Sequence, residues 1–467
     1  MKKKNRKIRL SQCMIVKNEE KNIRRALSWG KGIVCEQIVV DTGSTDRTVE
    51  IAEEMGAKVY HFQWCNDFSA AKNYAIEQAS GNWIAFLDAD EYFDEESASK
   101  LLKTIATAEE MTSAGTMIHV VRTGLANINQ AGKVGVIVIH DRIFRNMSSL
   151  RYVNKIHETI SLLSGESYRY LDARNDLVIL HTGYTKEAYQ ETGKTQRNIQ
   201  MLEKELETNP KNVMTLSYLA DSYLAERKID KAKEYYQRAA AYGLEEEGAD
   251  DNTKGHTLRS LTLLMMLYAK EHDPGQEEEV RKLHRQYREI YGAPPDGDYY
   301  FGAYLYQNKK YEEGKKYIES ALDKMQWYKG NMPLYMAANL KWAYAQLADC
   351  CIHLDKDEEA VRYCVMSLRV DKYYTESLFI LLGLLKKEDA EAATATGTWG
   401  LLSKLYDLTT LKDQMAVLKG AKLTGFKALE QRVYDAMPED RRRAVQEALE
   451  KKAEEMRVRE KSAEKAD

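Results

Sequence analysis

The stretch NWIAFLDADEYF, residues 82–93, decides the fold. Its run Trp83-Ile84-Ala85-Phe86-Leu87 reads as a strand buried on both faces, and the strand ends in acidic residues. Upstream, RLSQCMIVK (9–17), EQIVVDTGS (36–44) and KVYHFQW (58–64) read as three more strands. Helical stretches separate them: EEKNIRRALSW (19–29), TDRTVEIAEEMG (45–56) and DFSAAKNYAIEQAS (67–80). Thr45 is competent to cap the second of these, which stops at Gly56; Gly81 follows the third. Strands alternating with helices predict a largely parallel, doubly wound α/β sheet. Ligands sit beyond the carboxyl ends of the strands in such sheets, where Asp41, Asp88 and Asp90 fall.

Between residues 115 and 181 the runs MIHVVRTG, KVGVIVIHDRIFR, LRYVNKI and DLVILHTG are β-like with little helix between them, so an antiparallel or mixed extension is expected. Helical periodicity takes over from 184. In LSYLADSYLAERKIDKAKEYYQRAAAYG (216–243), Leu216, Leu219, Ala220, Tyr223, Ile229, Ala232, Tyr236 and Ala239 keep the tetratricopeptide spacing. The phase recurs at Phe301, Gly302, Leu305, Tyr311, Gly314, Ile318 and Ala321, and more weakly at Tyr344, Leu347, Ala348, Cys351, Ala360 and Cys364. Small residues there let helices approach closely and aromatics fill the gaps, which predicts an all-α solenoid. The expected organisation is a basic tail (1–8), an α/β domain (9–183), a repeat domain (184–431) and a charged terminal helix or tail (432–467).

The 467 residues are 44% hydrophobic and 30% charged, with a formal net charge of -3. No global basic field points to nucleic acid. Six cysteines form no CxxC pair, so neither a zinc site nor a disulfide framework is expected, and free thiols fit a reducing cytoplasm. No apolar run approaches the ~18 residues of a membrane span, and no apolar stretch follows MKKKNRKIRL as in a secretory signal. Contact with membrane is expected to be peripheral at most. KNEEKN follows the first strand where a dinucleotide-binding GxGxxG would stand, which excludes an NAD-type dehydrogenase.

Asp88 and Asp90 are paired carboxylates suited to a hard divalent cation; the alternative is solvated acids beside Glu91, Asp94, Glu95 and Glu96. Asp41 can accept hydrogen bonds from a base or ribose, or can cap its own turn. Lys72 can face a phosphate or remain a solvated helix lysine. His157 and His181 stand in β-like runs, where a histidine is ordinarily hydrogen-bonded to backbone. Arg142 and Arg145 can orient a substrate or be surface charges. The repeats carry no catalytic constellation. Their concave face suits an extended peptide or a partner, and a homodimer through them is compatible with the pattern.

CMIVKNEE, VVDTGSTDRT, NDFSAAKN and IAFLDADEYF stand in the order and spacing of family-2 glycosyltransferases of the GT-A fold, which the chain resembles over residues 9 to about 95. The resemblance extends to the bacterial subgroup with a helical-repeat C-terminus, among them peptide S-glycosyltransferases of the sublancin type. Transferases of lipopolysaccharide-core type share the short His-Glu segment. The resemblance implies a nucleotide-sugar donor, with a UDP-sugar expected, and inversion at the anomeric carbon. It implies that Asp41 binds the base, that Asp90 ligates magnesium or manganese, and that Asp88 contacts ribose or the metal. Lys72 and, less directly, Asp67 match donor-side positions. A later histidine, His181 or His157, would complete the metal set. The family's Glu-Asp pair for the general base is missing, so Glu158 is the candidate base that the resemblance leaves and Asp141 the runner-up. The acceptor expected is a peptide or protein; the alternatives are a cell-envelope saccharide or lipid-linked acceptor, and a non-catalytic repeat scaffold.

Overall fold

Four parallel strands at one side of a nine-stranded sheet carry the sequence motifs, in the order β3-β2-β1-β4. They are β1 (Leu10–Val16), β2 (Glu36–Asp41), β3 (Lys58–His61) and β4 (Trp83–Phe86). The helices between them are α1 (Ile23–Ser28), α2 (Thr48–Glu54) and α3 (Phe68–Glu77). The computed structural model describes residues 7–128, 134–182, 194–290, 292–330, 332, 334–388, 392–445 and 447–448. Most of the basic tail and residues 449–467 of the charged terminal segment lie outside the described residues.

Side-chain alternation explains the layering. Trp83, Ala85 and Leu87 face α4 (Glu95–Ser113), against Leu101, Ile105 and Ala108. Ile84 and Phe86 face the other way, onto Ala75 and Ile76 of α3. The expected mixed extension is present. The sheet continues from β4 through β7 (Val134–Arg145), β6 (Val120–Ile128) and β11 (Val178–His181) to β5 (Glu91–Phe93), with β10 (Tyr170–Asp172) on β6. β8 (Leu150–Val153) and β9 (Thr159–Leu162) form a separate hairpin.

Residues 82–93, read from sequence as one strand, are two. β4 ends at Phe86, a turn carries Asp88 to Asp90, and β5 leaves antiparallel to β11. The break lets the acidic turn belong to two strand ends at once.

The chain divides into two compact units, 1–232 and 233–467. The first contains the sheet and the helices α5 (Lys194–Thr208) and α6 (Val213–Ala225). The boundary falls within α7 (Ile229–Glu245). The second unit is helical: α8 (Asp251–Glu271), α9 (Glu277–Glu289), α10 (Asp296–Gln307), α11 (Tyr311–Trp327), α12 (Leu340–His353), α13 (Asp357–Val370), α14 (Thr375–Glu388), α15 (Ala392–Leu402), α16 (Leu411–Leu423) and α17 (Lys427–Asp435). The repeat-phase residues are its core: Phe301, Leu305, Ile318, Ala321, Leu347, Ala348, Cys351, Ala360 and Cys364 are buried. Gly302 shows why the phase needs small residues. A Cβ there would lie 2.8 Å from Ile318 Cγ1 and 3.0 Å from the Gly314 carbonyl. No helix among the described residues is long and apolar enough to cross a membrane.

Candidate active site

A set of hydrogen bonds joins the loops after β1 and β2. Asn18, at φ 56°, donates from its backbone to Ser44 Oγ (2.9 Å) and accepts from the Thr45 amide (2.8 Å). The Glu19 amide donates to Thr48 Oγ1 at 2.7 Å. Each of the two motifs satisfies backbone groups of the other. Beyond them, within the first unit, opens a cavity of about 720 Å³. Lys72, Asp88, Asp90, Asp141, His157, Glu158 and His181 all line it.

Asp90 and His181 meet because β5 and β11 pair with Glu91 opposite His181. The Thr182 amide donates to the Asp90 carbonyl at 3.1 Å and closes the turn. His181 Nε2 stands 3.2 Å from Asp90 Oδ2, and its Nδ1 stands 2.8 Å from Asn127 Oδ1. A proton on Nδ1 donated to Asn127 fixes the ring and aims Nε2 at the carboxylate, the arrangement that orients a ligating histidine. A separation of 3.2 Å also suits two neighbouring donors around one ion with bonds of about 2.1 Å. One hard oxygen and one imidazole nitrogen therefore fit magnesium or, better, manganese. Burial works against a proton on His181, but Asp90 outweighs it and raises the imidazole above its ordinary value.

Asp88 is differently placed. Its Oδ1 is 3.1 Å from Lys72 Nζ and its Oδ2 2.7 Å from Arg142 Nη2, so both oxygens already face cations. Among the described residues no three His, Cys, Asp or Glu side chains converge as a metal cluster. Lys72 is neither a solvated lysine nor one turned out to a ligand. It is 1% exposed, between Asp88 and Glu158 Oε1 (2.6 Å), with the rings of Phe86 and Tyr152 each 5.1 Å away. Burial opposes its charge, but Asp88 and Glu158 outweigh burial and hold it above the ordinary lysine range. Burial likewise opposes the charge on Asp88, and Arg142 and Lys72 hold that carboxyl well below the usual carboxylate range.

Sequence reasoning missed the rest of this network. Glu91, read among solvated acids, is 2% exposed; it accepts from Arg142 (2.5 Å) and from the Asp88 amide (2.9 Å). Burial first, then the charge on Asp88, raises its carboxyl despite Arg142. His140 lines the cavity too, and burial with Arg142 nearby pushes it down to about 3, so the ring is neutral at pH 7. Alternation in HDRIFR reaches Arg142 but not His140: Phe144 packs on Ile84 and Phe86, and stepping back by two gives Arg142, but a register shift opposite Val121 to Thr123 breaks the alternation before His140. Arg145 faces the other way and is structural. It bonds Glu109 at 2.8 Å and lies over the Trp83 ring.

Four expected residues have specific local partners. Asp41 is buried and accepts from the Gly43 and Ser44 amides (3.1 and 3.0 Å), with Gly43 at φ 108°; Thr42, its neighbour, reaches the cavity. Asp67 caps α3 by accepting from the Ala70 amide at 2.8 Å. Asp141 accepts from Arg122 Nε (3.1 Å) and Tyr168 Oη (2.5 Å), so both its oxygens are engaged. His157, at φ 54°, stacks at 3.6 Å on Tyr218 of α6. Tyr218 and Arg197 of α5 complete the cavity wall, which sequence periodicity could not show.

Acidic strand ends thus surround one cavity at the carboxyl side of the parallel half of the sheet. Residues 11–159 match the glycosyl transferase family 2 profile. It is 34% identical over 239 residues to a TPR repeat-containing protein of Synechococcus elongatus, covering 50% of this chain and 57% of that one. It is 27% identical over 231 residues to the SPbeta prophage-derived glycosyltransferase SunS of Bacillus subtilis, covering 48% and 52%. The chain thus spans about half the length of these relatives. Among solved structures, S. aureus TarS 1–349 in complex with UDP-GlcNAc aligns at 15% identity with a TM-score of 0.33, covering 66% of this chain and 92% of that one.

Proposed function

We propose that the chain moves a sugar from a UDP-sugar donor to a peptide or protein acceptor, with inversion and with a divalent cation. The observation that carries this reading is the convergence of the Asp90–His181 pair and the Lys72–Glu158 pair on one cavity at the strand carboxyl ends. Asp90 and His181 would hold the metal, which when bound would neutralise charge on the departing diphosphate. Asp88, fixed between Lys72 and Arg142, would present its remaining acceptor capacity to the donor ribose. Asp41 would orient the base through the loop whose amides it already organises. Glu158 takes the proton of the acceptor as its nucleophilic atom attacks the anomeric carbon and the bond to the diphosphate breaks. Glu158 is favoured over Asp141 because one cation faces it, whereas both Asp141 oxygens are engaged. The helical wall of Arg197 and Tyr218 supports a peptide as acceptor, since repeat helices bind extended chains.

Donor hydrolysis across UDP-, GDP- and CMP-sugars with magnesium or manganese tests this. Expected is metal-dependent turnover of a UDP-sugar, lost in Asp90→Ala and reduced about 10²-fold or more in Glu158→Gln once an acceptor is supplied. Full transfer by Glu158→Gln removes that residue from the base role. No binding of any donor moves the weight to a non-catalytic scaffold.

A further inference from the structure

A second cavity of about 270 Å³ adjoins the first, with Arg197 in the wall of both. Its other lining residues are Cys65, Asn66, Lys155, Gln200, Met201, Lys204 and Glu205. Arg197, Gln200, Met201 and Lys204 are spaced i, i+3, i+4, i+7 and so form one face of α5. The opposite wall is built, not loose. The Phe68 amide donates to the Lys155 carbonyl at 2.8 Å, Trp64 packs edge-on to Phe68 at 4.8 Å, and the Trp64 indole N–H donates to Asn66 at 3.0 Å. The Arg197 guanidinium lies 5.1 Å from the centre of the Phe68 ring.

We propose that this cavity is a subsite for a carboxylate on the acceptor peptide, held by Lys155, Arg197 and Lys204. The proposal rests on the transferase reading above and deepens it by naming the acceptor's chemistry. Among the described residues none of the three cations is ion-paired with a carboxylate. Three cations of one sign around one small cavity raise the local concentration of anions. Glu205, the one acid in the wall, repels a phosphate dianion more strongly than a carboxylate monoanion. Asn66 and Gln200 offer amide partners to a peptide backbone, and Met201 gives an apolar floor. A side chain anchored here leaves neighbouring residues of the same peptide to cross Arg197 into the larger cavity that holds Glu158.

The test uses the full chain and a fluorescent octapeptide containing two Glu, one Ser and one Cys, beside its Gln counterpart. Fluorescence polarisation at low salt is expected to show the Glu peptide bound roughly fivefold or more tightly, with the difference erased in Lys155→Gln/Lys204→Gln. Acetate should compete. Equal binding of the two peptides, including no binding of either, overturns the proposal, as does a preference that persists in the double variant. Competition by inorganic phosphate but not acetate overturns the carboxylate assignment. Donor hydrolysis, read separately, should be unchanged in the double variant. A wild-type chain without donor hydrolysis fails the transferase reading, while the peptide comparison still judges the subsite as a binding site.

Discussion

Replacing Lys72 with methionine keeps the length of the side chain and deletes one buried cation. Glu158, with a side chain 16% exposed, loses the cation 2.6 Å from its carboxylate, whereas Asp88 keeps Arg142 at 2.7 Å and is 36% exposed. Breaking a buried pair by removing one partner costs about 3–5 kcal/mol, and solvent access to Asp88 argues for the lower end, about 3 kcal/mol. A raised lysine contributes its stability fully below the unfolded value of 10.5, and that stability is lost only as pH rises through the folded value above it. The effect should therefore be flat from pH 6 to 9. The chain has two units, so a single global unfolding curve is the wrong readout. Native-state hydrogen exchange of the Ile84 to Phe86 amides in β4 reports the first unit directly, and about 3 kcal/mol appears as roughly 10²-fold faster exchange. Adding Glu158→Gln to Lys72→Met should restore at least half the loss, since removing both charges leaves no orphan. Exchange within threefold of wild type in the single variant, or no recovery in the double, refutes the network as drawn.

Asn127→Leu should weaken manganese binding about 10–100-fold by calorimetry, because His181 loses the partner that orients its ring. Gly302→Val should destabilise the second unit by about 1–3 kcal/mol in hydrogen exchange of α10, since Ile318 and the Gly314 carbonyl leave no room for a Cβ. Asp298 is held at about 2, because His284 at 2.7 Å and Lys324 outweigh its burial. Its folded value lies below the unfolded 3.8, so its contribution of about 2 kcal/mol is present above pH 3.8 and is lost as pH falls toward 2. Asp298→Asn should therefore exchange faster than wild type in α10 at pH 7, with the gap closing near pH 2.

The parallel half of the sheet was legible because the short apolar runs Cys13–Val16, Ile38–Val40 and Trp83–Phe86 alternate with helical stretches. The solenoid was legible from its phase: Gly302 stands where a Cβ would meet Ile318, and Ala348 and Ala360 are buried at positions of the same repeat. What stayed hidden is what depends on pairing between distant segments. Nothing local distinguishes Glu91 from Glu95, yet one is buried on Arg142 and the other begins α4 in solvent. Lys72 looked like any helix lysine because its two counter-charges come from residues 16 and 86 positions further along. The same pairing alters the DxD reading. The two aspartates are two residues apart in sequence but belong to different strand ends, Asp88 to β4 and its cations, Asp90 to β5 and His181. Their separate partners follow from the break in the strand at Leu87, and not from the acids themselves. If that break fixes the roles, exchanging which acid is neutralised must have unequal effects. Asp90→Asn should abolish metal binding with the fold intact. Asp88→Asn should leave metal bound while exposing Lys72 and Arg142 as unbalanced cations. Loss of metal in both variants, measured by calorimetry with manganese, would mean that the two carboxylates act as one ligand set despite their separate partners.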